Sequence, residues 1–167
     1  MARAPAQVLL AIFLAFLATH AALSADLVDA PAPDFALRGV DGKTLRLSEF
    51  RSEVVLLSFS SDRCARCRQS LAYFEELYRE HQSAGLNVID VDVNGNAKEA
   101  ANIAMELGLS FPILLDTLQS VSRQYDPRQL PVTFLIDREG TVRFVNKGFR
   151  GDSGAELNAA VIRLLAD

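Results

Sequence analysis

Two cysteines stand two residues apart in SDRCARCRQS, residues 61–70, among three arginines, and the chain has no others. Cys64 and Cys67 could hold a metal, staple a loop, or cycle between dithiol and disulfide. A structural zinc site needs four ligands. One C-x-x-C supplies two, and the nearest downstream histidine, His81, lies 14 positions past Cys67. At about 1.5 Å per residue of helix, that is roughly 20 Å away. A c-type haem attachment needs a histidine straight after the second cysteine, and Arg68 stands there. Only a shared or two-coordinate copper(I) site would remain as a metal reading. A staple that closes so small a loop removes little entropy from the unfolded chain.

Redox exchange suits the pair better. A thiolate attacks a disulfide, a mixed disulfide forms, and a second thiol resolves it. The first cysteine must ionise readily and stay accessible, and a helix N-terminus favours its thiolate. Cys64 is expected to be the nucleophile and Cys67 the resolving thiol. Arg63, Arg66 and Arg68 add positive charge nearby, either tuning the thiolate or standing as ordinary solvated surface. No metal or cofactor is expected beyond the Cys64–Cys67 disulfide itself.

The elements that must position this pair are legible. VVLLSF, residues 54–59, reads as a strand buried on both faces. Ser60, Ser61 and Asp62 are N-cap residue types, and a helix is expected from about Arg63 to His81. Leu71, Phe74, Leu77 and Tyr78 form its apolar face, with Glu75, Glu76, Arg79 and Glu80 outward. The cysteines then sit at a strand-to-helix junction. Upstream, FALRGVDGKTLRL with its Asp41-Gly42 turn reads as a hairpin. Downstream come a strand over Leu86–Val93, a helix over Ala97–Leu107 stopped by Gly108 and a short strand at Ile113–Leu115. A short helix at Thr117–Tyr125, a strand at Pro131–Ile136, a hairpin return over Thr141–Asn146 and a helix over Gly154–Ala166 complete the chain. This order predicts an α/β layer sandwich with helices on both faces of a mixed sheet.

The N-terminus bears on compartment. Arg3, the apolar run Val8–Ala18 and the small residues of AALSA have the layout of a secretory signal peptide, with cleavage expected between Ala22 and Ala25. The run is short for a bilayer span of about 20 residues; the alternative is a retained N-terminal anchor. The expected organisation is a signal or anchor at 1–25, an extended lead-in at 26–33 and one domain at 34–167. Disulfides persist outside the cytoplasm. The net charge of −4 argues against nucleic acid or anionic lipid as partner.

Read together, these stretches resemble the thioredoxin superfamily, and more closely the exported thiol:disulfide oxidoreductases of the TlpA/ResA type, related to the AhpC/TSA-Redoxin group. APDFALRGVDGKTLRLSEFRSEVVLLSFS is similar to their N-terminal hairpin and first buried strand. LNVIDVDVNGNAKEAANIAMELGLSFPILLD matches the extra strand–helix segment of that branch. YDPRQLPVTFLIDREGTVRFVNKGFRG resembles the family's final block. The resemblance implies a thioredoxin-like three-layer α/β/α sandwich with an N-terminal β-hairpin and a strand–helix insertion. It also implies a cis Leu130–Pro131 bond beside the disulfide, with the Leu130 backbone pairing to an extended client. Clients would be exported proteins with thiols or disulfides, apocytochromes among them, served by a monomer that exchanges electrons with a membrane or periplasmic thiol partner.

The departures from that pattern concern proton handling. No tryptophan precedes the motif; the chain has none. Where related proteins carry buried acids, six residues before the first cysteine and three after the second, this chain has Ser58 and Ser70. Proton transfer is therefore expected to rely on water or a more distant group. A thioredoxin-fold adaptor with little turnover is the rival reading. A peroxiredoxin-like peroxidase is a weaker one, because Cys64 lacks the P-x-x-x-T-x-x-C context.

Overall fold

The computed structural model describes residues 27–167; the expected signal or anchor segment and its cleavage sites lie outside them. Seven strands form one mixed sheet in the order β2-β1-β5-β4-β3-β6-β7. They are β1 (Ala36–Gly39), β2 (Thr44–Arg46), β3 (Val54–Ser60), β4 (Leu86–Asp92), β5 (Ile113–Leu115), β6 (Val132–Ile136) and β7 (Val142–Lys147). The α-helices are α1 (Ala65–His81), α2 (Ala97–Leu107), α3 (Ser120–Tyr125) and α4 (Ser153–Ala166). β3, β4 and β5 run parallel, while β6 and β7 return antiparallel and the β1–β2 hairpin pairs antiparallel through β1 with β5.

The β-branched and leucine-rich run of β3 is buried at every position, as a central strand with both faces covered requires. Alternation then sorts its side chains. Val55, Leu57 and Phe59 join Ile89, Val91, Phe134 and Tyr125 on one face. Val54 and Leu56 join Val88 and Leu135 on the other, beneath Leu71, Phe74 and Leu77 of α1 and Leu157 and Val161 of α4. Burying each such side chain stabilises the fold by about 1.5–3 kcal/mol. The first face is covered by short α3, Ala32 of the lead-in, Phe35 just after it, and Leu47.

The short helix expected from Thr117 begins only at Ser120, and three further details differ from the sequence expectation. The lead-in is extended only from Pro31, which bridges Thr141. Before it the chain turns, with Asp29 at φ 63° and its carboxylate paired to Arg143 at 2.9 Å. Glu75 points inward rather than outward: it is 5% exposed and accepts hydrogen bonds from the Ser110 N–H, the Ser110 hydroxyl and Arg79. Burial opposes its ionisation, but those donors outweigh it and hold the carboxyl below its ordinary range. Finally, α1 starts at Ala65 rather than Arg63.

Candidate active site

The later start of α1 follows from its cap. The side chains of Ser60 and Asp62 are engaged elsewhere, and Ser61 contributes its backbone carbonyl. The Ser60 hydroxyl donates to Asp90 at 2.6 Å, the Ser61 carbonyl accepts from the Cys64 N–H at 3.2 Å, and Asp62 accepts from the Asn94 side chain. Cys64 takes the N-cap position in extended conformation (φ −102°, ψ 101°), and its sulfur accepts the Cys67 N–H at 3.1 Å. A sulfur thus satisfies one of the free N–H groups of the first turn, which also favours a thiolate at that atom.

Cys64 and Cys67 are joined as a disulfide with Cα atoms 5.2 Å apart. Their surroundings differ: Cys64 is partly exposed, whereas Cys67 is 1% exposed on the sheet side of α1. Arg63 and Arg66 are exposed beside them. Arg68 is paired with Glu106 of α2, so it belongs to a helix–helix contact rather than to the sulfur's immediate field.

The Leu130–Pro131 bond is cis. Val132 pairs with Phe59 across the β6–β3 ladder, so Leu130 and Pro131 reach the same end of the sheet as the cysteines. The Pro131 carbonyl accepts from Gly148 at 2.7 Å. The Leu130 N–H and carbonyl have no hydrogen-bond partner among the described residues. Its side chain packs half-buried against the core.

One buried acid of this region was missed in the sequence. Ser58 and Ser70 are fully buried, as positions for an internal acid would be. Beside Ser58, directly across the β3–β4 ladder, stands Asp90, itself 1% exposed. Burial, reinforced by the negative charge of Asp92 and only partly offset by the hydroxyl of Ser60, pushes its carboxyl up to about 7. Asp92 ends the same strand; burial raises it too, against hydrogen bonds from the Gly95, Asn96 and Asn94 N–H groups. The signal was present in LNVIDVDV: an aspartate inside a strand with neighbours on both sides cannot reach water.

A thioredoxin-like sandwich that carries a solvent-accessible cysteine and a buried one at a strand–helix junction defines a dithiol–disulfide exchange protein. The comparisons agree. Residues 28–145 match the model of the AhpC/TSA family, and the chain belongs to that family. It is 35% identical over 121 residues to the thiol-disulfide oxidoreductase ResA of Geobacillus thermodenitrificans, covering 72% of this chain and 70% of that protein. It is 34% identical over 122 residues to ResA of Bacillus subtilis, covering 73% and 68%. Among solved structures, a putative thiol:disulfide interchange protein DsbE from Chlorobium tepidum is similar at 30% identity and a TM-score of 0.77, covering 81% of this chain and 95% of that one. Peroxidoxin BcpB from Mycobacterium tuberculosis, at 24% identity and a TM-score of 0.71, shares the fold. The chain is a protein thiol–disulfide oxidoreductase that acts on thiol-containing proteins.

Proposed function

We propose that the protein is an extracytoplasmic oxidoreductase in which Cys64 attacks a client disulfide and Cys67 resolves the mixed disulfide. The unequal burial of the two sulfurs carries this reading: a client can reach Cys64, which caps the helix, and cannot reach Cys67. In the reducing direction the Cys64 thiolate attacks one client sulfur. The client S–S bond breaks, and the other client sulfur leaves as a thiolate that takes a proton from water. The Cys67 thiolate then attacks Cys64, the intramolecular disulfide forms, and the second client sulfur is released. The oxidising direction is the same sequence in reverse.

Leu130 and Pro131 form the client-docking edge. The unpartnered N–H and carbonyl of Leu130 suit an added strand of client backbone. Arg63 and Arg66 favour the Cys64 thiolate electrostatically. The clients are exported proteins, apocytochromes included, and the electron partner is a membrane or periplasmic thiol protein. The protein works as a monomer with no cofactor beyond its own disulfide. The signal-like N-terminal segment supports the location. Insulin reduction with dithiothreitol tests the chemistry: turnover is expected from the wild type and none from Cys64→Ser. Equal turnover by both would defeat the assignment. N-terminal sequencing of the protein from the periplasm, where it is expected to begin between residues 23 and 26, tests the location; recovery only from the cytoplasm would refute it.

A further inference from the structure

Exchange requires Cys67 to surrender a proton, yet its sulfur is sealed from bulk water at 1% exposure. A hydroxyl is too weak a base to take it. The Ser70 hydroxyl is in any case committed to the Cys67 carbonyl at 2.9 Å, and Ser58 has only its own hydroxyl to offer. Asp90 is the acid that the fold brings to this layer. Alternation along β4 puts Asp90 on the face that carries Val88, and alternation along β3 puts Ser58 and Ser60 on the face that carries Leu56; this is the face that α1 covers. Along the sheet-facing stripe of α1, Leu77, Phe74 and Leu71 lie over Val54, Leu56 and Val88. One turn further toward the helix start comes Cys67, and one step further along the strands comes the Ser58–Asp90 row.

The carboxyl is only half used. Asp90 Oδ2 accepts from the Ser60 hydroxyl at 2.6 Å. Asp90 Oδ1 and the Ser58 hydroxyl are both buried without a hydrogen-bond partner. An orphaned carboxylate oxygen in such a place costs free energy, and is retained here in the layer that α1 covers. A carboxyl that titrates near neutrality is matched to a thiol whose ordinary value is about 8.5, as general base catalysis favours. The charged groups around it are few. Asp92 follows on β4, held by backbone N–H groups. Asp62 lies in the loop before α1, bound to Asn94. On α1, Arg63 and Arg66 are at the surface, Arg68 is paired with Glu106, and Glu75 lies two turns along, bound to Ser110. On β6 the residue level with Ser58 is Thr133, which is neutral.

We propose that Asp90, which pairs with Ser58 across the β3–β4 ladder, is the proton acceptor for Cys67 in resolution of the mixed disulfide. The inference rests on the exchange reading of Cys64 and Cys67. In the step, the Cys67 S–H bond breaks and an O–H bond forms at Asp90. The thiolate attacks Cys64, the Cys64–client S–S bond breaks, and the client leaves as a thiolate. Two electrons have passed from Cys67 and Cys64 to the client disulfide, and Asp90 returns its proton to water before the next cycle.

The reaction of reduced protein with 5,5′-dithiobis(2-nitrobenzoate) separates the two events. The first nitrothiobenzoate is released by attack from Cys64, the second by resolution through Cys67. In wild type the second phase should rise with pH through an inflection near that of Asp90. In Asp90→Asn the ratio of second-phase to first-phase rate should fall about tenfold or more, since a positioned base contributes about 10²–10⁴-fold, and that inflection should vanish. The double variant Ser58→Asp/Asp90→Asn, with the acid placed on β3 instead, should regain rate and inflection. A second phase in Asp90→Asn with the wild-type ratio and pH profile would overturn the proposal. Should Asp90→Asn not fold, NMR of ¹³Cγ-aspartate wild type decides: one buried carboxyl must titrate at a different pH in the dithiol and disulfide forms, and its failure to differ overturns the assignment. Absence of the first phase in wild type would instead defeat the exchange reading itself.

Discussion

Replacing Asp90 with asparagine should change how stability depends on pH, and the change can be worked from the structure. In the unfolded chain an aspartate titrates near 3.9; in the fold, burial beside Asp92 pushes Asp90 to about 7. Folding therefore disfavours the ionised form. Below about pH 4 both states hold the proton and the group costs nothing. As pH rises from there, the unfolded state loses its proton first, and the native state weakens until it too ionises near 7. Three pH units at about 1.4 kcal/mol each give a loss of about 4 kcal/mol by pH 8. Asparagine does not titrate, but with only the Ser58 hydroxyl nearby to accept, one of its buried amide N–H bonds is left without a partner, at about 1–3 kcal/mol. Asp90→Asn should thus be less stable than wild type near pH 4 and equal or more stable near pH 8. The difference between the two proteins should swing by about 4 kcal/mol over that range. Urea unfolding of the oxidised proteins at a series of pH values measures it. Parallel stability curves would refute the raised carboxyl, and with it the physical basis for a neutral-pH proton acceptor.

Other consequences follow from the same contacts. Glu75→Ala should cost about 1–3 kcal/mol at neutral pH, because it strands the Ser110 donors. Since the native Glu75 carboxyl is held low, that difference should shrink in urea titrations as pH falls below about 4. Arg63→Gln/Arg66→Gln should slow alkylation of Cys64 by iodoacetamide at low salt by roughly two- to fivefold, as two exposed charges of a few tenths of a kcal/mol each imply; high salt should erase the difference. Tyr125→Phe, losing the hydroxyl bond to the Pro33 carbonyl at 2.8 Å, should lower stability by about 1 kcal/mol in thermal unfolding.

Much of this molecule could be read from its residues because local and global signals agree. Ala97–Leu107 is a helix between an Asn96 cap and a left-handed Gly108, as its alanine run and glycine stop announce. The run VVLLSF is the all-buried β3. What escaped were choices made by tertiary contacts. Ser61 and Asp62 have the chemistry of a cap, but the Cys64 sulfur caps α1 because the partners of Ser60 and Asp62 lie on β4 and the loop after it. Glu75 sits among outward-facing charges in sequence, yet a pair of donors at Ser110, 35 residues on, draws it inward. The cysteines carried their own chemistry in their spacing. The burial of Asp90 was legible in LNVIDVDV, but its place across from Ser58 was not, because that is set by strand pairing between residues 32 apart.

The central claim is a division of labour between two sulfurs, and trapping tests it most directly. Cys67→Ser and Cys64→Ser are each incubated with a disulfide-bonded client protein and quenched with acid. Cys67→Ser should accumulate a mixed disulfide with the client through Cys64, seen as a reducible adduct by mass spectrometry, because no resolving thiol remains. Cys64→Ser should give none, since Cys67 is sealed on the sheet side of α1. An adduct on Cys67 at a comparable rate, or none on Cys64, would contradict the assignment.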